Sequence, residues 1–321
     1  MVDTHYDLLS ICYTCYLKND YTKIEKYAEE IKRSGIKGIF ANLYFMSEEE
    51  MKKELHPKYF DSKVKILDMF KISKQILESY LPDIDFIYSI EGCDYLDISD
   101  LDDLYNEGLR SIILVWNNKS KYGSGNVTED GLTKEGIKFL NKAIDLNIGI
   151  DLSHANKKTF YGMIEVIKEN QRLGKSVVCY ASHSNCRKLC DRKRNLDDDQ
   201  IKSIKEVGGL IGLLSSRNFV TRNTLSTKIY QKEAYLKHVI YLYNLLGVDN
   251  IMLSTDDMRF LSDVDIEYNE LAIFDYNRIV YDTKKLLLTH FNLEETNKIM
   301  YENVKTKVID KLKPNNCKIK K

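Results

Sequence analysis

Eight short apolar runs, rich in β-branched and aromatic residues, alternate along the chain with longer segments in which apolar residues recur every three or four positions. Runs of the first kind are typical of buried strands, and the longer period is typical of amphipathic helices. After DTHYD at 3–7, the runs continue as KGIFANLYF, DFIYSIEG, LRSIILVW, NIGIDLSH, SVVCYASH, GGLIGLLS and NIMLSTDD. Strands that alternate with helices in this way pair in parallel, which indicates an α/β architecture.

Eight strand–helix units in a chain of 321 residues favour a (β/α)8 barrel, the TIM-like fold, over an open doubly wound sheet. The open sheet is also disfavoured because no glycine-rich phosphate loop follows the first strand. Helical periodicity predicts connecting helices at about 23–34, 65–80, 133–147, 156–173, 197–207 and 231–246. Further helices near 270–290 and 293–310 are expected to pack on the barrel, and LLSI at 8–11 is compatible with a continuation of the first strand.

The composition indicates a globular protein with a sizeable core, because 43% of the residues are hydrophobic and no linker rich in Pro, Gly or Ser divides the chain. We expect one hydrolase barrel over 1–312 and a polar, basic, disordered tail at 313–321. The 48 basic and 48 acidic side chains cancel, which argues against nucleic-acid or membrane partners. Seven scattered cysteines, no signal peptide and no apolar run of about 20 residues favour a cytoplasmic protein with reduced thiols.

Histidines and carboxylates occur at the first apolar run and at the ends of four later ones. The set consists of His5, Asp7, Glu91, His154, His183 and Asp256. Burying such groups is costly unless they are paired or coordinated, so several of them at strand ends need a shared explanation. In a (β/α)8 barrel the carboxyl ends of the strands meet at one mouth, where catalytic residues lie. We therefore predict that these side chains converge on a metal-bearing active site.

The residue types indicate a hydrolytic metal centre. Closed structural zinc sites usually contain several thiolates, whereas this set offers imidazoles and carboxylates and leaves a position for water. His5 and Asp7 are two residues apart, so both side chains point to one face of an extended segment and can hold one cation. Glu91 can bridge two cations through its two oxygens. Asp256 is placed to accept a proton from attacking water and to pass it to a leaving amine.

Each residue also has an ordinary structural interpretation. Taken singly, His154 and His183 are typical of core histidines or of caps that bond to the backbone, and Asp256 and Asp257 are typical of loop caps. Asp151 is expected to bond to the backbone or to orient a ligand. Three histidines in polar or helical sequence are left out of the ligand set, namely His56, His238 and His290.

Several segments resemble the renal (membrane) dipeptidase family of zinc peptidases. They are DTHYDLL, SIEG, EGLRSIILVWNN, GLTKEG, DLSHANKKTF and SHSNCRKLCDRKRNL, in this order, over roughly residues 2–260. HSN followed by RNL, with DLSH upstream, is the most specific part. The resemblance implies a (β/α)8 barrel with two zinc ions, although manganese and iron accept the same ligands. It implies that His5 and Asp7 bind one ion, that His154 and His183 bind the other, and that Glu91 bridges them.

The resemblance also implies the residues that bind substrate. Arg194 would bind the terminal carboxylate, a role that suits its planar guanidinium, and Asn195 and Trp116 would contribute to the same site. Trp116 stands where mammalian members have a histidine, so stacking on substrate and simple filling of the mouth are both open. The family's G-G-D-F-D-G segment reads Ser254 to Arg259 here, which keeps Asp256 and loses the glycines and the second acid.

These observations predict a cytosolic, dinuclear metal-dependent dipeptidase that cleaves the amide bond of small dipeptides, including those with a D-residue at the C-terminal position. Glu91 and Asp256 are the predicted catalytic residues. The altered segment after Ser254 keeps open a related barrel hydrolase that acts on another amide, a lactone or an ester. A degenerate barrel that binds a peptide without cleaving it is a further alternative. The resemblance also allows a homodimer.

Overall fold

Eight parallel strands form a nearly closed barrel in the computed structural model, which describes residues 1–45, 65–257 and 271–313. Each strand pairs with the next one along the chain. The strands are β1 (Val2–Tyr6), β2 (Gly38–Tyr44), β3 (Asp85–Glu91), β4 (Leu109–Ile113), β5 (Gly149–Asp151), β6 (Cys179–Ala181), β7 (Leu210–Leu214) and β8 (Ile251–Ser254). The predicted (β/α)8 barrel is thereby confirmed.

The last strand returns to the first at the end of the sheet. The backbone N–H of Asp256 donates to His5 O at 3.2 Å. The Thr4 hydroxyl lies close to two carbonyls, at 3.0 Å from Leu253 O and at 2.7 Å from Ser182 O. The bonds that involve Asp256 and Leu253 hold β1 beside β8 at the level of the histidine of the first motif, and the bond to Ser182 connects β1 to the loop after β6.

Helices connect successive strands. They are α1 (Leu8–Lys18), α2 (Thr22–Ser34), α3 (Ile66–Tyr80), α4 (Asp100–Asn106), α5 (Lys134–Asp145), α6 (Lys157–Arg172), α7 (Asp198–Glu206), α8 (Arg217–Val220) and α9 (Lys228–Leu246). After β8 come α10 (Ile279–Leu287), α11 (Leu293–Asn297), two π-helical segments (Lys298–Glu302 and Lys305–Ile309) and α12 (Asp310–Leu312).

Local sequence explains where the helices that follow the site loops begin. The Asn156 side chain accepts a hydrogen bond from the backbone N–H of Thr159 and caps α6. Asp197 and Gln200 form a reciprocal capping box at the start of α7. Such caps satisfy N–H groups that a helix leaves unpaired in its first turn. They also fix the points at which the loops after β5 and β6 rejoin regular structure.

The C-terminal helical stretch covers the N-terminal end of the barrel. Its apolar side chains form one buried cluster with residues near the starts of the strands. The cluster includes Val304, Val308, Ile309 and Leu312 from the stretch and Val2, Phe40, Ile87, Leu210 and Met252 from the barrel. The C-terminal helices therefore pack on the barrel as predicted, and apolar contacts close the end opposite to the mouth.

The segment after β1 corrects one prediction. LLSI at 8–11 begins α1 and does not continue the first strand. Leu8, Leu9, Ile11 and Cys12 are buried at helical spacing, and such a short apolar run does not by itself distinguish a strand from a helix. Asp7 is the N-cap residue of α1, but its side chain makes no capping hydrogen bond. The Asp7 carboxylate is therefore available to the mouth of the barrel.

Other boundaries differ by a few residues. The predicted helices between strands are all present, whereas α1, α4 and α8 were not predicted. Strands β5 and β6 are shorter than their apolar runs because the chain bends into loops before the histidines. The helix expected near 270–290 is regular only from Ile279, after a 3-10 turn at Tyr276–Arg278.

Within the described ranges, none of the helices combines the length and the apolar character needed to cross a membrane. The division into one barrel at 1–312 and a disordered tail at 313–321 stays a prediction, and residues 314–321 lie outside the described part of the chain.

Candidate metal centre

The side chains predicted at the strand ends meet at the C-terminal mouth of the barrel. They are His5 within β1, Asp7 directly after β1, Glu91 at the end of β3, His154 after β5, His183 after β6 and Asp256 after β8. The first five are at most 8% exposed, and the Asp256 side chain is 16% exposed. The barrel thus brings together all six residues that are distant in sequence.

Glu91 lies at the centre of this group. Its Oε2 is 3.2 Å from His5 Nε2, and its Oε1 is 2.8 Å from His154 Nε2 and 3.6 Å from His183 Nε2. His5 Nε2 is also 3.6 Å from Asp7 Oδ1 and 3.7 Å from Asp256 Oδ1. We call His5, Asp7 and Asp256 the carboxylate side of the site, and His154 and His183 the imidazole side.

A polar neighbour contacts the outer ring nitrogen of each imidazole. The pairs are Asn42 Nδ2 with His5 Nδ1 (3.1 Å), Asn117 Oδ1 with His154 Nδ1 (3.2 Å) and Ser182 Oγ with His183 Nδ1 (2.7 Å). The amide oxygen of Asn117 can only accept, so His154 donates from Nδ1 and presents the lone pair of Nε2 to the site. Such partners orient imidazoles for metal binding.

The carboxylate side concentrates negative charge. Burial alone would lower the pKa of His5, but the carboxylates of Glu91, Asp7 and Asp256 raise it to about 10. Burial and repulsion by Glu91 raise the pKa of Asp7 well above its usual value. Burial also raises the pKa of Asp256. For Glu91, burial acts in the same direction, but His5 and His154 lower the pKa below its usual value.

The imidazole side has the opposite character. Burial, together with the nearby charge of Arg194, lowers the pKa of His154 to about 4. Burial and the charges of His5 and Arg194 lower the pKa of His183 well below its ordinary value. The two Nε2 atoms are 2.9 Å apart. Both rings are therefore favoured in the neutral form, which is the form that binds transition metals.

The donor atoms at the centre fit a divalent metal. Among the described residues, His5 Nε2, Asp7 Oδ1 and Glu91 Oε1 have no hydrogen-bond partner of acceptable geometry, although buried polar atoms nearly always have one. Two sets of three ligand atoms each lie within 4.8 Å of one another, namely His5 with Glu91 and His183, and His5 with Asp7 and Asp256. Mixed nitrogen and oxygen ligands suit Zn²⁺ and similar cations.

The backbone is irregular where it delivers site residues. His154 and Asp256 have φ values of 68° and 45°, in the left-handed region, which costs about 1–3 kcal/mol for a residue other than glycine. Asp and His are among the residue types that adopt this conformation most often. Gly92 has φ 82°, and a Cβ there would lie 2.4 Å from Phe45 O. Only glycine therefore fits directly after Glu91.

Arg194 lies beside the imidazole side. Its Nη2 donates to His183 O at 3.1 Å, and its Nη1 lies 3.4 Å from Ser184 Oγ. Burial lowers the pKa of Arg194, while the charges of Asp256 and Glu91 raise it. Arg194 is half-buried beside the imidazole side. Its remaining donors can bind a planar carboxylate.

Trp116 forms part of the wall at the mouth. Its ring centroid is 6.0 Å from that of His154 and 5.0 Å from that of Tyr44, the last residue of β2. Trp116 is half-buried, so part of the residue is exposed. Its position is compatible with stacking on a substrate near the imidazole side.

Asn195, for which the sequence predicts a contribution to substrate binding, is buried in the loop after β6. It is 1% exposed, and its Nδ2 donates to Cys190 O at 2.8 Å and to Phe219 O at 2.9 Å. These bonds connect the loop after β6 to α8. The amide nitrogen thus holds two backbone segments together, and these contacts give no support to a substrate-binding role.

The other polar residues considered from the sequence lie outside the ligand set. Cys186 N donates to His238 Nδ1 at 3.1 Å, and His238 Nε2 donates to Val220 O at 3.1 Å, so both nitrogens of this buried ring are used. Asp151 accepts from the backbone N–H groups of Ser153 and Ser182. His290 is exposed, whereas His56, Met258 and Arg259 lie outside the described residues.

Sequence reasoning missed Asp3. Its Oδ1 accepts from Thr255 N at 2.9 Å, and its Oδ2 accepts from the hydroxyls of Thr255 at 2.5 Å and Tyr276 at 3.1 Å. Burial raises the pKa of Asp3 to about 6. The available signal was its place two residues before His5, on the same face of β1. Asp3 fastens the segment that precedes Asp256 to the first strand.

The chain is similar to curated proteins over part of its length. It is 30% identical over 165 residues to an uncharacterized protein from the pqqA 5' region of Klebsiella pneumoniae, with 49% of this chain and 58% of that protein covered. It is 24% identical over 157 residues to dipeptidase verJ of Clonostachys rogersoniana, with 48% and 37% covered. The chain thus spans about half the length of the curated relatives that it matches.

Solved structures share the barrel. A metallo peptidase from Rhodobacter sphaeroides, liganded with a phosphinate mimic of the dipeptide L-Ala-D-Ala, superposes with a TM-score of 0.69 at 18% identity, covering 94% of this chain and 96% of that one. A metallo peptidase of family M19, the dipeptidase AC, has a TM-score of 0.69 at 19% identity, with 94% and 95% covered. At 18–19% sequence identity, this structural similarity establishes the fold alone.

A family model establishes the relationship independently of the superpositions. The model described as membrane dipeptidase, peptidase family M19, matches residues 1–304. The match includes all eight strands and all six residues of the site. The resemblance inferred from the sequence motifs is therefore confirmed, and the chain belongs to the membrane dipeptidase family, peptidase family M19.

Proposed function

We propose that this chain is a dinuclear metal-dependent dipeptidase that hydrolyses the amide bond of small dipeptides with a free C-terminal carboxylate. The observation that carries this proposal is the position of Glu91, whose two oxygens face His5 and His154 from a buried centre. Three potential ligand atoms at this centre lack a hydrogen bond of acceptable geometry to any described residue. Family membership supports the same activity. The L-Ala-D-Ala mimic bound by the Rhodobacter relative supports substrates with a D-residue at the C-terminal position.

His5 and Asp7 would hold one divalent cation, His154 and His183 would hold a second, and Glu91 would bridge them. Zn²⁺ is the first candidate because the ligands are imidazoles and carboxylates. Bound there, divalent cations would polarise the peptide carbonyl and make water acidic enough to attack near neutral pH. The number of ions and their identity are part of the proposal.

The chain's own residues perform the remaining tasks. Asp256 accepts the proton of the attacking water and delivers it to the leaving amine, for which its partly exposed position at the rim of the carboxylate side is suited. Arg194 binds the C-terminal carboxylate through its planar fork. Trp116 contacts the substrate from the side of His154. A cytoplasmic location and a homodimer stay predictions from the sequence.

The test is hydrolysis of L-Ala-L-Ala and L-Ala-D-Ala by the full chain reconstituted with Zn²⁺, combined with metal analysis. We expect amine release and close to two metal ions per chain. His183→Ala should lower kcat/KM by more than about 100-fold, since even groups behind a ligand contribute about 10–100-fold. The matched control His290→Ala alters an exposed histidine and should keep wild-type activity.

Other outcomes would identify the alternatives. Turnover of lactones, esters or acylated amino acids in place of dipeptides would indicate a related barrel hydrolase. Absence of bound metal after gentle purification, with peptide binding retained, would indicate a barrel that binds peptides without cleaving them. Full activity of His183→Ala would contradict the ligand assignment.

A further inference from the structure

The loop after β6 carries Arg194 and closes on itself. Arg187 N donates to Leu196 O at 2.8 Å, and Leu196 N donates to Asn185 O at 2.8 Å, which forms a short parallel bridge between Cys186 and Leu196. The outgoing half of this loop begins beside His183, and the returning half leads into α7. Arg194 lies on the returning half, shortly before the bridge.

The guanidinium of Arg187 lies against the returning half. Its Nε is 3.2 Å from Arg192 O and 3.0 Å from Asn195 O, and its Nη2 is 2.6 Å from Lys193 O. These three carbonyls lie on both sides of Arg194 in the sequence. Hydrogen bonds from a charged donor are stronger than neutral ones, and the guanidinium presents its donors in a rigid fork. One side chain therefore fixes the peptide groups that bracket Arg194.

The side chain of Arg194, which lies between these carbonyl groups in the sequence, extends across the loop. Arg194 Nη2 bonds to His183 O on the outgoing half, so its guanidinium is held next to the imidazole side. Two-point binding of a carboxylate requires the fork to be placed within about 0.5 Å. A small rotation of the backbone at 192–195 would move the end of this long side chain by more than that.

We infer that Arg187 is a positioning residue, which acts through Arg194 to shape the subsite for the substrate's C-terminal carboxylate. The inference depends on the proposed function, because it takes Arg194 as the residue that binds this carboxylate. The hydrogen bonds of the Arg187 guanidinium go to carbonyl groups of its own loop. Its contribution is to substrate binding and not to the chemistry at the metals.

A purely structural role is the competing explanation. The loop has other attachments to the barrel, because Asn195 Nδ2 bonds to Phe219 O and Arg192 Nε bonds to Asn218 O. These bonds fasten its outer part to α8. Loss of the Arg187 guanidinium is therefore expected to loosen the segment around Arg194 while the loop stays attached.

The experiment measures binding, so that its outcome does not depend on turnover. The zinc-loaded full chain is titrated by calorimetry with the phosphinate mimic of L-Ala-D-Ala and with the C-terminal amide of the same mimic. The amide lacks the negative charge that Arg194 binds. Charged hydrogen bonds of this kind contribute roughly 10–100-fold, so wild type should bind the acid at least about 10-fold more tightly than the amide.

Arg187→Gln should reduce this acid-over-amide preference to a few-fold, mainly by weakening binding of the acid. Arg187→Lys keeps the charge, lacks the fork and should give an intermediate preference. Arg194→Gln should abolish the preference, and adding Arg187→Gln to it should change nothing further. The matched control Arg222→Gln, an exposed arginine whose pair with Asp191 is 3.9 Å long, should keep the wild-type preference.

Three results would overturn the inference. They are an unchanged preference in Arg187→Gln, equal weakening of acid and amide, and a full effect of Arg187→Gln in the Arg194→Gln background. The Lys variant provides the same comparison where the Gln variant does not fold. Any of these results leaves dipeptide hydrolysis by the wild type, and with it the proposed function, intact.

Discussion

The carboxylate side and the imidazole side differ in how their surroundings shift the pKa of the histidines. On the carboxylate side one imidazole lies among carboxylates, which raise the pKa of His5 to about 10. On the imidazole side burial and Arg194 lower the pKa of His154 to about 4 and keep His183 neutral. The first side offers a cation two carboxyl groups besides Glu91, whereas the imidazoles of the second side contact the carboxylate of Glu91. A cation is therefore expected to bind more strongly on the carboxylate side.

The two sides also depend on different parts of the barrel. The carboxylate side forms where β8 returns to β1, and Asp256 N bonds to His5 O at this junction. The imidazole side forms at the adjacent strands β5 and β6, and their loops lead into capped helices. The carboxylate side thus exists only when the barrel closes, whereas the imidazole side needs only local strand pairing.

Glu91→Gln should have the largest effect, because this residue serves both sides. The amide removes the charge that compensates a cation on either side, so we expect loss of most bound metal. The fall in kcat/KM should exceed the roughly 100-fold that is typical of changes behind a ligand. Metal analysis and L-Ala-D-Ala hydrolysis measure both effects. Glu135→Gln, at an exposed glutamate on α5, is the control, and retention of two ions by Glu91→Gln would contradict the bridging assignment.

Asp7→Asn and His183→Gln should separate the two sides. Each variant removes a ligand from one side only, so each should retain about one metal ion per chain and lose hydrolysis by roughly 100-fold. The ion left in His183→Gln lies on the carboxylate side and should resist chelation longer than the ion left in Asp7→Asn, because more negative charge surrounds it. Metal content during timed dialysis against a chelator checks this order.

The same residues show how far the sequence could be interpreted. Strand ends and barrel topology sufficed to place His5, Glu91 and His183 at one mouth, because parallel strands carry their carboxyl ends to the same edge. Leu8 to Ile11 could not be assigned in this way, since a short apolar run suits a strand or a helix equally. The bonds from Arg187 to the carbonyl groups on both sides of Arg194 depend on how the loop after β6 folds back on itself. No local sequence pattern predicts this arrangement.

The polar partners of the imidazoles could not be predicted from the sequence either. Asn42 and Asn117 contact histidines on other strands, so their roles follow from tertiary contacts and not from spacing. For Asn195 the substrate-binding role stays a prediction, and the structure adds that its amide nitrogen bonds to two backbone carbonyls. Motifs identified the residues that the barrel brings together at its mouth, whereas the contacts among neighbouring side chains required coordinates.

Asn42→Ala and Asn117→Ala should weaken the carboxylate and imidazole sides respectively. Each change removes the group that orients one imidazole, and such changes typically lower metal affinity by about 10–100-fold. Competition with a fluorescent chelator measures the affinity of each ion. Asn223→Ala alters an exposed loop and should leave both affinities unchanged. Equal weakening of both ions by one variant would mean that the two sides are not separable.

His238 should have the smallest effect on activity and a measurable effect on stability. Burial lowers its pKa from 6.5 to about 4. Below about pH 6.5 the unfolded chain takes up a proton that the folded chain refuses, so stability is lost as the pH falls from about 6.5 towards 4, by at most roughly 3 kcal/mol. Denaturant unfolding of wild type and His238→Gln at pH 7.5 and 5.0 measures this loss, which should be smaller in the variant.

Bound metal distinguishes this histidine from those of the imidazole side. Coordination keeps ligand imidazoles deprotonated, so zinc loading should reduce the acid sensitivity that His154 and His183 cause in the metal-free protein. His238 already bonds to Cys186 N and Val220 O and contacts no ligand atom, so its contribution should persist after loading. If zinc abolished the difference in pH dependence between wild type and His238→Gln, His238 would have to be coupled to the metal centre, and the separation between ligand and structural histidines would fail.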